Sequence, residues 1–191
     1  PGEAWWKNRY NFYFPPLSLF LPQMYGTTET VTTFDHIEQL YYAKKSVIED
    51  NYAQWNVGYI GHFSHWFPWG VMLYDRFVIN QPPQDPQEAL ALHNEIWTRA
   101  MRTALAHGGT LNEHHGIGFK LGYLMPEMYG ATWPFLQTLK DAIDPQGIMN
   151  PGKLGFRAPE NFPNNPDARF RTADLQSKAA ATDTYKIESA I

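Results

Sequence analysis

The sequence predicts an α+β domain, a ferredoxin-like antiparallel sheet with helices on one face. Its periodic segments follow the order strand, helix, strand, strand, helix, which is typical of that layered architecture. The chain has 191 residues, of which 43% are hydrophobic and 18% charged, so it has enough length and apolar surface to bury a core. A folded globular domain, rather than a disordered chain, follows from these values.

The N-terminal part predicts an edge segment, a strand and a helix. Residues 9–22 are rich in aromatic residues around two adjacent prolines, and proline favours sheet edges because it cannot donate a ladder hydrogen bond. The β-branched run at residues 27–33 is typical of a strand. A helix is expected to begin at Thr33 or Asp35, with Lys44 on its polar side.

The middle of the chain predicts two strands and a long helix. The strands are expected at residues 55–61 and 71–79, joined by the aromatic-rich loop HFSHWFPWG. The long helix is expected to start with Asp85 as its N-cap, since a proline follows at the first helical position. Gly108 and the glycine after it are expected to end this helix.

The last part of the chain predicts a third helix and a C-terminal arm. The helix is expected at residues 132–143, where an Asp-Pro pair and a glycine stop it. Residues 157–191 are rich in Pro, Asn, Ala and Asp with weak periodicity, and we expect an arm that either packs on another domain or stays loose.

Composition excludes several classes of function. A net charge of −4 provides no basic stripe for a phosphate backbone, so we expect no nucleic-acid partner. The absence of cysteine excludes disulfides and thiolate metal sites. No apolar run is long enough to cross a bilayer, and the first residues, PGEAWWKNRY, lack both an initiator Met and a signal-peptide pattern. We therefore expect an excerpt of a longer protein with a cytoplasmic location.

The strand at residues 71–79 places chemically useful side chains on one face. Alternation puts Tyr74 and Arg76 together, away from the face that packs under the helices. An arginine can hold a carboxylate, phosphate or phenolate beside the tyrosine. The alternative is a tyrosine and an arginine that simply face solvent. Asp75 is the exception on the apolar face.

The segment GGTLNEHHGIG holds the densest polar cluster. Its glycines allow the backbone to approach a ligand closely, and His114 and His115 can supply a base near neutral pH. Asn112 and Glu113 are expected to orient the loop. The alternative is a solvated turn.

A metal site is the weaker interpretation of the histidines. His62 and His65 have a spacing that could join His114 in a three-imidazole site. They fall in a predicted turn, and no carboxylate ligand is evident. We therefore expect no metal.

Two stretches together resemble a known family. GGTLNEHHGIG, followed about thirty residues later by LKDAIDPQGIMNPGKLG, resembles the C-terminal signature of FAD-linked oxidases. That superfamily includes vanillyl-alcohol oxidase, 4-cresol dehydrogenase and alkylglycerone-phosphate synthase. The resemblance covers residues 10–156. It implies that residues 1–156 are the substrate (cap) domain of a flavoenzyme, with its N-terminal FAD-binding domain in the same gene or in a separate chain.

The resemblance also implies roles for single residues. Tyr74 or His115 would be the base and His114 an orienting residue. Arg76, Lys120 and Glu113 would bind the substrate, although Phe119-Lys120 stands where phenol oxidases carry Tyr-Arg. The return to the FAD domain implies cofactor contacts by the residues Asn112, Asn150 and Lys153.

The expected function is the substrate-binding part of an FAD-dependent oxidoreductase acting on a small alcohol, phenol or hydroxy acid. One alternative is a transferase that uses FAD, like alkylglycerone-phosphate synthase. Another is a non-catalytic interaction module, in which the aromatic residues 66–69 and the opening WWKNRYNFYF bind a partner. A homodimer is left open.

Overall fold

A computed structural model describes residues 1–10 and 22–159 of the chain. Most of the predicted edge segment and nearly all of the predicted C-terminal arm lie outside these residues. Three strands and two long helices form the main layer, and three short or C-terminal helices complete the fold. The elements are α1 Gly2–Asn8, β1 Met24–Thr33, α2 Phe34–Glu49, β2 Val57–Trp66, β3 Gly70–Ile79, α3 Pro86–Ala106, α4 Met125–Tyr129 and α5 Trp133–Ile143.

The sheet confirms the predicted α+β class. Its strand order is β1-β3-β2, and β3 pairs antiparallel with both neighbours. The helices α2 and α3 pack together on one face of this sheet, as the βαββα order predicts. The predicted N-cap is also confirmed, since the Asp85 carboxylate accepts hydrogen bonds from the backbone N–H groups of Gln87 and Glu88.

The second strand is longer than the sequence predicts. It continues from Val57 to Trp66, so most of the predicted loop is strand. Ladder pairing with β3 persists through Ser64, and a bulge follows at His65, whose φ is +49°. The exposed aromatic and polar residues conceal this strand, because the bulge interrupts the alternation that normally reveals one. The turn between the two strands is only three residues, 67–69.

The core lies between the helices and the sheet. Its largest members are apolar residues of α2, α3 and the two C-terminal strands, including Ile48, Phe77, Ile79 and Ile96. A second cluster forms where the loop after α3 folds back, around Met101 and other residues at its centre. This second cluster fixes the loop that carries the histidines.

Within the described residues, no helix is long and apolar enough to cross a bilayer.

The prediction that Lys44 lies on the polar side of α2 is wrong. Its side chain is fully buried, one helical turn from Leu40 and from Ile48, which are buried too. The Nζ atom lies 2.6 Å from the Asp75 carboxylate and donates to Thr28 Oγ1 at 2.7 Å. Burial lowers the pKa of Lys44, and the Asp75 carboxylate opposes that shift. The charged residue on the apolar face of β3 is therefore one half of a buried ion pair.

Removing one member of this pair is expected to destabilise the fold. Lys44→Ala leaves the Asp75 carboxylate buried without its cation, so the free energy of unfolding should fall by about 3–5 kcal/mol. Urea denaturation of the 191-residue chain measures it. The matched control is Lys45→Ala, which removes a partly exposed pair with Glu49 at 2.5 Å and should cost less than about 1 kcal/mol. Equal small losses in both variants would contradict the account.

Candidate functional site

The sheet face opposite the helices carries a row of three polar side chains. Tyr74, in the central strand, lies opposite Glu29 of β1 and opposite His62 of β2. Directly opposed residues of antiparallel strands project their side chains to the same face. Arg76 lies two residues further along the same face. The predicted alternation of β3 is thus confirmed, and two further polar residues join it.

The histidine loop, residues 108–118, is hydrogen-bonded to the edge strand β1. Thr110 N donates to Val31 O at 3.1 Å, and Val31 N donates to Thr110 Oγ1 at 3.0 Å. Thr32 Oγ1 donates to Gly108 O at 3.2 Å. The chain leaving α3 therefore runs along the sheet edge before it turns over the open face.

The Glu29 carboxylate holds the turn of this loop. Its side chain is 2% exposed, and its Oε1 atom accepts hydrogen bonds from the backbone N–H groups of Glu113, His114 and His115 at 3.2, 2.9 and 2.6 Å. The side-chain amide of Asn112 donates to the same oxygen. A carboxylate in the middle of a strand thus supplies the acceptor for these backbone N–H groups of the loop.

The two predicted histidines lie against the predicted tyrosine. The ring centres of Tyr74 and His115 are 5.5 Å apart, and those of Tyr74 and His114 are 6.1 Å apart. The imidazole centres of His114 and His115 are separated by 4.1 Å. Tyr74 is half-buried and both imidazoles are exposed. A phenol and two imidazoles therefore share one open surface, and their roles in catalysis stay predictions.

Glu113 binds two imidazoles rather than lying free. Its Oε2 atom is 3.0 Å from His65 Nδ1 and 2.7 Å from His114 Nδ1. Desolvation, the largest single effect, raises the pKa of Glu113, but the hydrogen bonds and charges of these two histidines together outweigh it and lower that pKa. The expectation that no carboxylate lies near the histidines is wrong. Two groups of three side chains bring their possible metal-ligand atoms within 4.8 Å of one another. One group is His65, Glu113 and His114, and the other is Glu29, His114 and His115. His62 belongs to neither group.

Asn112 is engaged on both sides of its amide. It donates to Glu29, and its Oδ1 atom accepts the N–H of Gly116 at 2.8 Å. A cofactor contact by Asn112 would have to replace one of these bonds. Its geometry thus supports the expected orienting of the loop, while its cofactor contact stays a prediction.

Arg76 lies on the open face without a carboxylate partner among the described residues. Its guanidinium carbon is 5.3 Å from the centre of the Tyr25 ring. A half-buried guanidinium that pairs with no acid is available to an anion.

Lys120 lines a cavity beside the histidine loop. The cavity has a volume of about 230 Å³ and is also lined by Glu29, His115 and Trp97. Lys120 Nζ lies 3.2 Å from the centre of the Trp97 ring. The ring face attracts the protonated amine, whereas burial disfavours it and lowers the pKa of Lys120 to about 8.

Asn150 and Lys153 belong to a separate turn after α5. Asp144 organises this turn by accepting the N–H groups of Ile148 and Met149 at 3.0 and 2.8 Å. The backbone N–H of Leu154 donates to Gly118 O at 2.9 Å, which ties the turn to the end of the histidine loop. Neither Asn150 nor Lys153 contacts the histidines through any described bond, and their cofactor role stays a prediction.

Glu29 is the site residue that sequence reasoning missed. The signal was present, because an acidic residue interrupts an otherwise β-branched and threonine-rich strand. Charged residues are almost never fully buried unless they are paired. What the sequence does not reveal is the partner, since the loop that binds Glu29 lies more than eighty residues further along the chain.

Comparison with known proteins identifies the family. The sequence model described as FAD linked oxidases, C-terminal domain, matches residues 4–154. The chain belongs to this family, whose members are FAD-dependent oxidoreductases, and the match confirms the resemblance carried by the two signature stretches.

Individual relatives cover more than one activity. The chain is 31% identical over 160 residues to alkyldihydroxyacetonephosphate synthase of Trypanosoma brucei brucei, which covers 81% of this chain and 25% of that protein. It is 31% identical over 93 residues to mitochondrial D-lactate dehydrogenase (cytochrome) 1 of Saccharomyces cerevisiae, which covers 48% and 15% respectively. A solved alkyldihydroxyacetonephosphate synthase structure shares the fold, with a TM-score of 0.50 at 22% identity over 79% of this chain and 25% of that one. The chain spans about a quarter of the synthases it matches.

The shifted pKa of Lys120 gives a direct test of the cavity. The Cε chemical shift of Lys120 should titrate with a midpoint about pH 8, well below the ordinary value of 10.5, because burial disfavours the ammonium. A ¹³C-labelled chain measures this by NMR, and Lys120→Met assigns the signal. Because the folded state resists protonation of Lys120, its contribution to stability should rise with pH between about 8 and 10.5, and Lys120→Met should weaken the pH dependence in that range. A midpoint above pH 10 would show that the amine is not desolvated.

Proposed function

We propose that this chain is the substrate-side (cap) domain of an FAD-dependent oxidoreductase that acts on a small alcohol, phenol or hydroxy acid. The observation that carries the proposal is the grouping of Tyr74, His114 and His115 on the one sheet face that no described helix covers. Family membership supports FAD as the cofactor. The open sheet face offers a surface on which a substrate and the flavin ring could meet.

The division of labour follows from these residues. FAD, when bound, accepts the electrons of the oxidised substrate. The chain itself binds the substrate between the sheet face and the loop, and Tyr74 or His115 removes a proton from it. His114, held by Glu29 and Glu113, orients the substrate by hydrogen bonding. Asn150 and Lys153 would contact the cofactor side from the turn after α5.

Two cations favour a substrate with an anionic group. Arg76 has no acidic partner among the described residues. Lys120 lines the cavity that His115 also borders. A carboxylate or phosphate on the substrate could form an ion pair with either cation. A 2-hydroxy acid or a phosphate ester is therefore favoured over a neutral phenolic alcohol.

A large apolar surface on α5 supports a missing domain. Phe135, Leu139 and Ile143 recur every four residues and are 67%, 47% and 67% exposed. Ile148 and Met149, in the following turn, are 71% and 58% exposed. Contiguous apolar patches of this kind mark interfaces. We infer that residues 1–156 form one domain and that this surface packs against the FAD-binding domain, in the same or a separate chain.

A second candidate is an FAD-using transferase like alkyldihydroxyacetonephosphate synthase. The long match to the Trypanosoma protein, over 81% of this chain, favours it. A non-catalytic interaction module is favoured by exposed aromatic side chains in two places. Trp66 and Trp69 of the β2–β3 hairpin are 69% and 56% exposed, and Trp5 and Trp6 of α1 are 63% and 61% exposed. Flavin reduction by an alcohol, without group transfer, distinguishes the oxidoreductase from both.

Loss of the Tyr74 hydroxyl is expected to slow the reaction. In the complete flavoprotein, Tyr74→Phe should reduce the rate of flavin bleaching by substrate roughly a hundred- to ten-thousand-fold, the usual contribution of a positioned base. Stopped-flow absorbance under anaerobic conditions measures this rate with 2-hydroxy acids, phosphate esters and phenolic alcohols as candidate substrates.

The matched control is Tyr42→Phe. Tyr42 is 60% exposed on α2, on the opposite side of the sheet, so its hydroxyl should be dispensable. Equal rates for wild type, Tyr42→Phe and Tyr74→Phe would exclude Tyr74 as the base and leave His115 as the remaining assignment.

A further inference from the structure

We infer that Glu29 is a positioning residue that fixes the tautomer of His115, so that Nδ1 carries the proton and Nε2 is the free proton-accepting atom. The catalytic meaning of this inference rests on the proposed function. Its physical basis is the geometry around one buried carboxylate.

The two oxygens of Glu29 have different surroundings. Oε1 accepts three backbone N–H groups and the Asn112 amide, so its hydrogen-bonding capacity is filled. Oε2 is buried and receives no hydrogen bond of good geometry. A buried carboxylate oxygen without a donor costs free energy, so a donor within reach is expected to turn toward it.

Two imidazole nitrogens are within reach of that oxygen. His114 Nδ1 lies 2.5 Å and His115 Nδ1 lies 3.2 Å from Glu29 Oε2. His114 Nδ1 is shared, because it also lies 2.7 Å from Glu113 Oε2. His115 Nδ1 has Glu29 as its only carboxylate among the described residues. A small rotation of the His115 ring would align its Nδ1–H with the empty acceptor.

This arrangement determines which nitrogen can act as a base. In a neutral imidazole one nitrogen donates and the other accepts. When Nδ1–H is held by Glu29, the Nε2 lone pair is directed away from the carboxylate and is available to a substrate. Glu29 thus acts on the reaction through His115.

The test is ¹⁵N-histidine NMR of the complete 191-residue chain at a pH where the imidazoles are neutral. Long-range ¹H–¹⁵N correlations distinguish a protonated from an unprotonated ring nitrogen, and His115→Gln assigns the signals. In the wild type we expect His115 to show a protonated Nδ1 and an unprotonated Nε2. An Nε2–H tautomer of His115 in the wild type would overturn the inference.

Glu29→Gln is the decisive variant. Its carbonyl oxygen can keep the backbone N–H groups of the loop, while its NH₂ group replaces the oxygen that faces His115. His115 should therefore change to the Nε2–H tautomer with little change at the amides of residues 113–115. Glu113→Gln is the matched control and should leave the His115 tautomer unchanged, since Glu113 contacts only His65 and His114 among the histidines. An unchanged His115 tautomer in a folded Glu29→Gln chain would overturn the inference.

These measurements need neither flavin nor substrate. A chain that shows the expected tautomers but whose complete protein binds no flavin would refute the proposed function and leave the Glu29–His115 contact standing. A flavoenzyme in which His115 carries Nε2–H would retain the proposed function and refute the role of Glu29.

Discussion

The site depends on one buried carboxylate in the edge strand of the sheet. Glu29 accepts the backbone N–H groups of three successive loop residues, and without it that turn would lose its partners. Because Glu29 lies opposite Tyr74 in the ladder, the loop that it holds is brought over the same sheet face. A hydrogen-bonding requirement of the backbone therefore also determines which side chains meet.

The sheet separates a buried ion pair from the candidate site. On the helix side, Lys44 and Asp75 form a buried ion pair at 2.6 Å, within the apolar layer that holds α2 on the strands. On the other side, the same central strand presents Tyr74 and Arg76 to an open surface. Neighbouring residues of one strand thus face a buried layer and an open surface, as the two-residue period of a strand allows. The proposed function places the substrate and the cofactor on this open side, in keeping with the match to the C-terminal domain of FAD-linked oxidases.

Much of this arrangement could be predicted from local patterns. The βαββα order, the cap at Asp85 and the two faces of β3 follow from periodicity and turn chemistry. What could not be predicted depends on distant partners. The bulge at His65 hides the extension of β2. Lys44 is buried because it pairs with Asp75. Glu29 accepts hydrogen bonds from the loop that follows α3. The family signature located the histidine loop but not the residue that holds it.

The visible absorption spectrum of the longest natural form of the protein, before and after denaturation, tests the central claim most directly. A flavin band is expected, because the chain belongs to the FAD-linked oxidase family and its proposed function requires FAD. Release of the band on denaturation would indicate non-covalent FAD, and retention would indicate a covalent link, and either result supports the account. A colourless protein that takes up no added FAD would contradict it and leave a non-catalytic interaction module.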